Sequence, residues 1–559
     1  MKQETKEIYQ EGIAKAYIEF LKEFHKDPTR KEFEGFLVLG ENDEANGVTS
    51  WRSVFKSLSD IRAMALKLNE EAVKNAVFTE EELATDDYFE KRDEAIKQHR
   101  RFFVTTAVNG KPVNIEFLNS IKNYCEKNNA LLLILPSHDV RSQKREFKWN
   151  FDPALKAGFV ITEDTVLNEN CMLSGITASA KQINPVSGLM KLPVKVGKSM
   201  VFPGTKQIMG HIATLRGELT PHMYCSTGAV TVADYSNDKI MSGRTSYIAE
   251  KDHTFGGFII EIEDEKRFHF RVVQMAPDGS FNDLGVKYKP DGTTSSLNGV
   301  KFVLGDSHVG YHDKNLFANI LDICKEHKGI DEIILHDIDN ASSISHHEAN
   351  NFIKRTLRAL NGEDSLLDEI NDINRYLNQL TEIPDVDITV VNSNHDRHIE
   401  KYIESGRFIL DRDFKNIGIS LELMKQYVTG EISNPVQYLS ENIATVGLNN
   451  PSKIKWLKRD ESYNKYGVEL GMHGDEGANG AKGSMRTFAI SVGNAVVAHA
   501  HTGAIFHNIF QVGTTSELNL GYNHGLSSWT RTCCFVYPDG TKQLVNFLRN
   551  VDGGYTYHA

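Results

Sequence analysis

From Val300 onward, apolar runs of strand length alternate with runs of helix length, and every strand-like run ends in Asp, Asn or His. The five runs are GVKFVLGD, DEIILHD, DVDITVVNSNHD, YGVELGMHGD and VGNAVVAHAHTG. Between the first two, KNLFANILDICKEH carries Leu316, Phe317, Ile320, Leu321 and Cys324 on one helical face. This alternation predicts an α/β fold. Ligands of open α/β sheets sit beyond the carboxyl ends of the strands, so the five run ends are expected to work together.

Side chains at i and i+2 of an extended backbone point to the same side. Asp306 and His308, separated by Ser307 alone, therefore converge past the first run. That pair by itself fits either a metal site or a solvated turn. The other run ends add Asp337, then Asn394, His395 and Asp396, then His473, then His499 and His501. Two divalent ions about 3.5–4 Å apart need ligands on both sides and one carboxylate that bridges them. Mixed Asp, Asn and His suit manganese, iron or zinc better than magnesium or calcium. Histidine is also skewed along the chain, with seven of the 21 in residues 1–298 and fourteen in 299–559. A chance excess on solvated faces gives the same skew, so each histidine has to be placed individually.

The blocks DSH, HD, SNHD, MHGD and AHAH, in this order, resemble the calcineurin-like metallophosphoesterase superfamily, whose pattern is D-x-H, GD, GNH(D/E), H and GHxH. The opening DSHVGY is similar to the D-x-H-L-G-Y of the nuclease branch that includes the double-strand-break-repair exonucleases. The resemblance covers about residues 300–535. It implies that Asp306, His308 and His501 hold one ion, that Asn394, His473 and His499 hold another, and that Asp337 bridges the two. It further implies that His395 protonates the leaving oxygen, a contribution of about 10²–10⁴ in rate. The implied enzyme is a two-metal phosphodiesterase acting on DNA, with manganese as first choice and magnesium, iron or zinc as substitutes. Size and domain order also resemble the pre-early host-DNA-degradation proteins of T5-like phages.

The chain departs from the family pattern where His336, Ser393 and Ala498 replace glycines, so these loops are expected to be shaped differently. Asp339 lies two residues after Asp337 and rivals it as the bridge. His336, His346 and His347 crowd the second block and read as solvated or DNA-facing, as do His312, His398, His507 and His524. The rival functions are a phosphatase or small-molecule phosphodiesterase, and a DNA-binding or assembly protein with an inactive metal site.

The first three hundred residues carry no comparable motif. Residues 1–100 read as helical, with a break that admits a helix-turn-helix presenting Arg52 and Lys56 to DNA, or a plain bundle. Residues 101–154 read as a small β-α-β unit and 155–298 as a β-rich domain closed by the linker-like KPDGTTSSLNG; 299–559 is the catalytic domain. The expected architecture is thus a metallophosphoesterase-type layered α/β sandwich, preceded by a helical region and a β-rich middle domain. No internal repeat is visible. A net charge of −12 argues against a surface coated everywhere for nucleic acid. Local clusters remain available, at Lys97, Arg100 and Arg101 and at Arg141, Lys144, Arg145 and Lys148. Six cysteines without C-x-x-C spacing read as reduced thiols. No run approaches the ~20 apolar residues that cross a bilayer. These features predict a cytoplasmic homo-oligomer that has DNA as its partner and no membrane contact.

Overall fold

The computed structural model describes residues 78–139, 148–215, 221–235, 243–327, 329–432, 434–521 and 523–559, with scattered positions before 66. They form two compact units, Met1–Glu82 with Lys148–Ala154, and Leu83–Phe147 with Leu155–Ala559. In the first unit Ile13, Tyr17, Phe20, Phe33, Leu37 and Ile61 form a buried cluster. Phe78–Thr79 there pairs with Asn150–Phe151. The helix-turn-helix reading, with Arg52 and Lys56, falls outside the described residues.

The second unit begins with β1 (Arg101–Val108), α1 (Ile115–Asn128), β2 (Ala130–His138), β3 (Phe159–Val160), β4 (Thr165–Asn168), β5 (Cys171–Leu173) and β6 (Ser199–Phe202). Next come β7 (Gln207–His211), β8 (Met223–Thr227), β9 (Gly256–Ile262) and β10 (Phe268–Gln274). The chain continues through β11 (Val300–Val303), α2 (Lys314–Glu326), β12 (Ile330–Leu335), α3 (Phe352–Asn361), α4 (Leu366–Thr381), β13 (Asp387–Val390), α5 (Asp396–Glu404) and β14 (Ile454–Trp456). It ends with β15 (Asn464–Lys465), β16 (Val468–Glu469), β17 (Ala495–Val497), β18 (Ala504–Phe506), β19 (Ile509–Gln511), β20 (Thr532–Val536) and β21 (Lys542–Asn546). One large sheet has the order β14-β13-β12-β11-β20-β21-β10-β9-β1-β2-β3, and the other β15-β16-β17-β19-β18-β7-β8-β6-β5-β4.

Apart from the edge strand β14, these orders read the same from both ends. β1, α1 and β2 form a parallel crossover, as do β11, α2 and β12. β3 then adds parallel to β2, as β13 adds to β12. The chain next builds five strands of the other sheet with matching directions in both halves. It returns as an antiparallel hairpin beside the first strand, β9–β10 beside β1 and β20–β21 beside β11. The halves meet where like strands pair antiparallel, β10 with β21 and β7 with β18. This is the relation that a two-fold axis produces. The unit therefore contains one topology twice, a repeat with no visible trace in the sequence.

Alternation along the strands decides the layers. Phe302 and Ile333 turn outward onto helices α2 and α4, in a core with Leu316, Ile320, Ile373 and Leu377. Their neighbours Val303 and Ile334 turn inward to the other sheet, in a core with Val201, Met209, Val496 and Phe510. Each such side chain contributes about 1.5–3 kcal/mol when fully buried. The fold is thus a mixed, layered α/β sandwich, but the cuts expected at 100/101, 154/155 and 298/299 do not separate its layers. β1 and β2, β9 and β10, and β11 to β14 with β20 and β21 share one sheet. Even the linker-like 289–299 is structured: Thr294–Ser296 pairs with Val286–Tyr288 in a three-stranded sheet.

Candidate metal centre

Three of the five run ends leave one large sheet, at β11, β12 and β13, and two leave the other, at β16 and β17. The expected cluster is therefore assembled across the sandwich. Past β11, Gly305 lets the backbone approach Gly513 and Thr514, where an added Cβ would meet backbone atoms at 2.6–2.7 Å. Asp306 is pinned there: its N–H donates to Gly513 O (3.2 Å), and its carbonyl accepts from Thr515 N (3.0 Å) and Thr514 Oγ1 (2.7 Å). The ends of β11 and β12 continue side by side, with Ser307 N donating to His336 O (3.1 Å) and His308 N to Asp337 O (2.7 Å). After β13, the buried Asp396 carboxylate accepts from Ser393 N (3.0 Å), closing the turn that carries Asn394 and His395. Burial raises that carboxyl to about 7.

All seven expected ligands converge. His501 Nε2 lies 2.8 Å from Asp306 Oδ2 and 3.0 Å from His308 Nε2. On the other side, Asn394 Oδ1 stands 2.8 Å from His473 Nε2 and 2.9 Å from His499 Nδ1. Asp337 joins the two triplets, its Oδ2 being 3.9 Å from His308 Nε2 and 3.4 Å from His473 Nε2. The rival Asp339 is not among the groups that gather with Asp306, His308 and His501: its Oδ1 accepts from Ala341 N (2.9 Å), and burial beside Glu369 and Asp396 holds its carboxyl well above the usual range. His336 is fully buried, with its ring 5.7 Å from that of His473.

Four of the seven expected ligands, His308, Asp337, His499 and His501, have positive φ between 44° and 71°. His336, Ser393 and Ala498 do not. The conformation that glycines were expected to supply is taken up by four of the expected ligands themselves. Such left-handed non-glycine residues cost of order 1–3 kcal/mol each and gather where surrounding structure over-determines them for function.

The charges fit cations. Burial opposes ionisation of Asp306 and Asp337, yet the imidazoles around them hold both carboxyls below their ordinary range. His473 is raised to about 9 because Asp337 outweighs its burial, whereas burial pushes His308 down to about 3. Asp337 Oδ1 is buried with no hydrogen-bond partner, an arrangement that costs free energy unless something positive fills it. Asp306, His308, Asp337 and His501 place their ligand atoms within 4.8 Å of one another, so this buried cluster can hold a metal ion.

His395 belongs to neither triplet. Its Nδ1 donates to Asn340 O (3.2 Å), which turns Nε2 to a point 4.0 Å from Asp337 Oδ2. A cavity of about 530 Å³ opens on the cluster, lined by Asp337, Asn394, His395, His499 and His501. Its wall also includes Trp529, Lys354 and Arg358, which sequence reasoning did not select. Both cations are held by Glu348, at 3.1 Å and 2.7 Å. Their only sequence signal was the basic spacing within FIKRTLRALN.

Of the expected DNA contacts, Arg141, Lys144 and Arg145 lie outside the described residues. Lys148 is exposed and pairs with Glu81 at 3.2 Å. Arg101 pairs with Glu261 at 3.1 Å across β1 and β9. No helix among the described residues is long and apolar enough to cross a membrane.

No protein-family model matches the chain, and no solved structure does. The chain is similar to Protein A1 of Escherichia phage T5, with 26% identity over 478 residues that span 81% of this chain and 82% of that protein.

Proposed function

We propose that this chain is a phage-encoded, two-metal deoxyribonuclease that degrades host DNA. The observation that carries the reading is the meeting of two ligand triplets at one carboxylate, with Asp337 Oδ2 3.9 Å from His308 and 3.4 Å from His473. The similarity to a phage T5 protein supports the phage origin.

Asp306, His308 and His501 would hold one ion, Asn394, His473 and His499 the second, and Asp337 both. Divalent ions so bound supply Lewis acidity to a phosphate and an activated water at neutral pH. The chain's own groups do the rest. The carbonyl of Asn340 orients His395 so that Nε2 faces the cluster and delivers a proton to the departing DNA oxygen. Trp529 packs its ring 4.1 Å from that of His501 and walls that ligand. Lys354 and Arg358, at the cavity wall, offer positive charge to the phosphates of a strand despite the chain's net charge of −12. Four imidazoles among the seven ligands favour manganese, with iron, zinc and magnesium behind it.

The test is digestion of circular and linear DNA with manganese, with magnesium and with chelator, alongside a nitrophenyl phosphate. Manganese-dependent DNA cleavage abolished by chelator is the expected result. Turnover of the nitrophenyl ester without DNA cleavage would mark a phosphatase. DNA binding with neither activity would mark an inactive site.

A further inference from the structure

A second group of imidazoles lies apart from the seven ligands. His346, His347 and His398 bring ring nitrogens within 4.8 Å of one another. Sequence reading treats these residues as solvated, but the fold gathers them from two separate segments. His346 and His347 adjoin in the turn between the 3-10 helix Ser342–Ile344 and α3, and His398 stands in the first turn of α5. The turn is anchored, because the Arg407 guanidinium donates to Ile344 O (3.2 Å) and Ser345 O (3.4 Å). The ring centroids are 3.9 Å apart for His346 and His347 and 4.9 Å for His346 and His398.

Beside this gathering of three rings, two features fit the group to a metal. First, the Nδ1 atoms of His346 and His398 are both buried without a hydrogen-bond partner, and His398 is only 5% exposed. Buried polar atoms are normally paired, so each orphan calls for an explanation. Second, burial lowers His398 to about 2 and His346 to about 4, which keeps both imidazoles neutral with their lone pairs free for a metal. His347 and His398 also line the cavity that opens on Asp337 and His395, and the His398 ring is 4.6 Å from that of His395.

We propose that His346, His347 and His398 form a separate metal site for a borderline divalent transition ion such as zinc. Three imidazoles leave a fourth position, the arrangement of zinc sites that bind water or substrate. That position faces the cavity, where a phosphate oxygen of the bound strand completes the shell beside the group that protonates the leaving oxygen. The phosphate-holding role rests on the phosphodiesterase reading; the binding of an ion does not.

The full chain, stripped with chelator, is reloaded with zinc alone and its metal content measured. Cobalt substitution in parallel reports tetrahedral coordination by visible absorption. His347 is exposed, so His347→Ala leaves the packing intact, and it is expected to remove one zinc per chain and the tetrahedral cobalt band. Asp337→Ala is expected to keep both of those signals while losing the ions of the other cluster. The proposal is overturned if His347→Ala and His346→Ala each leave zinc content and the cobalt band as in the unaltered chain. If Asp337→Ala keeps every ion while His347→Ala still loses one, the central two-metal reading fails and this site stands.

Discussion

On the proposed two-metal reading, His395→Ala should separate acid catalysis from metal binding. The residue is absent from both ligand triplets, and its Nε2 stands 4.0 Å from Asp337 Oδ2, so its loss should leave the metal content unchanged. The side chain is 14% exposed and fixed by Asn340 O, which makes it a positioned donor and not a freely rotating one. A positioned proton donor contributes about 10²–10⁴ in rate, or about 2.7–5.4 kcal/mol of barrier at 1.36 kcal/mol per decade. DNA cleavage in manganese should fall by that factor. Hydrolysis of a nitrophenyl phosphodiester should fall much less, because nitrophenolate departs without a proton. His395→Gln keeps a donor for Asn340 O but supplies no acid, so it should lose DNA cleavage as severely as the alanine variant. Paired rate measurements on the two substrates, with metal content measured on the same samples, decide the matter. Equal losses on both substrates, or a drop in bound metal, would refute the role given to His395.

Asp337→Ala should release the ions of the central cluster, since one carboxylate faces both triplets; retention of two ions by mass spectrometry would move the bridge elsewhere, with Asp339 the first alternative. Manganese should support faster DNA cleavage than magnesium, which prefers all-oxygen octahedra, and equal rates would contradict a ligand set with four imidazoles. Arg271 is 1% exposed and holds Glu261 (2.9 Å) and Asp283 (2.6 Å) on the strand where the two halves pair. Arg271→Ala leaves buried Asp283 without its cation and Glu261 with Arg101 alone, and should cost about 3–5 kcal/mol in urea unfolding. Burial opposes it, but Arg271 lowers Glu261 from its ordinary 4.5 to about 2. Its stabilisation is thus present above about pH 4.5 and lost as pH falls towards 2, a limb that Arg271→Ala should flatten. A fragment beginning at Ser296 should aggregate, because it bares β21 and β18, which pair with β10 and β7 in the whole chain; a soluble, metal-loaded fragment would contradict this.

Much of the site was legible because its information is local. A strand's alternation and the residue types at its end are written within a few neighbours, so Asp306, His308, Asp337, Asn394, His473, His499 and His501 could be picked out in order. Their convergence could be expected from the α/β pattern, though not that β16 and β17 would bring His473, His499 and His501 from the opposite sheet. The choice between Asp337 and Asp339 illustrates the boundary. Both lie on one face of the chain by spacing, and only the folded structure shows that Asp337, and not Asp339, gathers with Asp306, His308 and His501.

The sequence alone determined the chemistry on offer: a set of Asp, Asn and His residues at the ends of apolar runs in the last half of the chain. Tertiary structure decided what lies next to what. Strand pairing is non-local, so nothing in residues 101–274 announces that they repeat the topology of 300–546 or that β10 lies against β21. The same holds for His346 and His398, separated by fifty-one intervening residues that include α3 and α4, and brought to ring contact at 4.9 Å only when α5 packs beside that turn. Local residue pattern encodes which groups a strand end carries, whereas the closing of long loops between distant segments, rewarded only by the packed core, sets which of those groups meet.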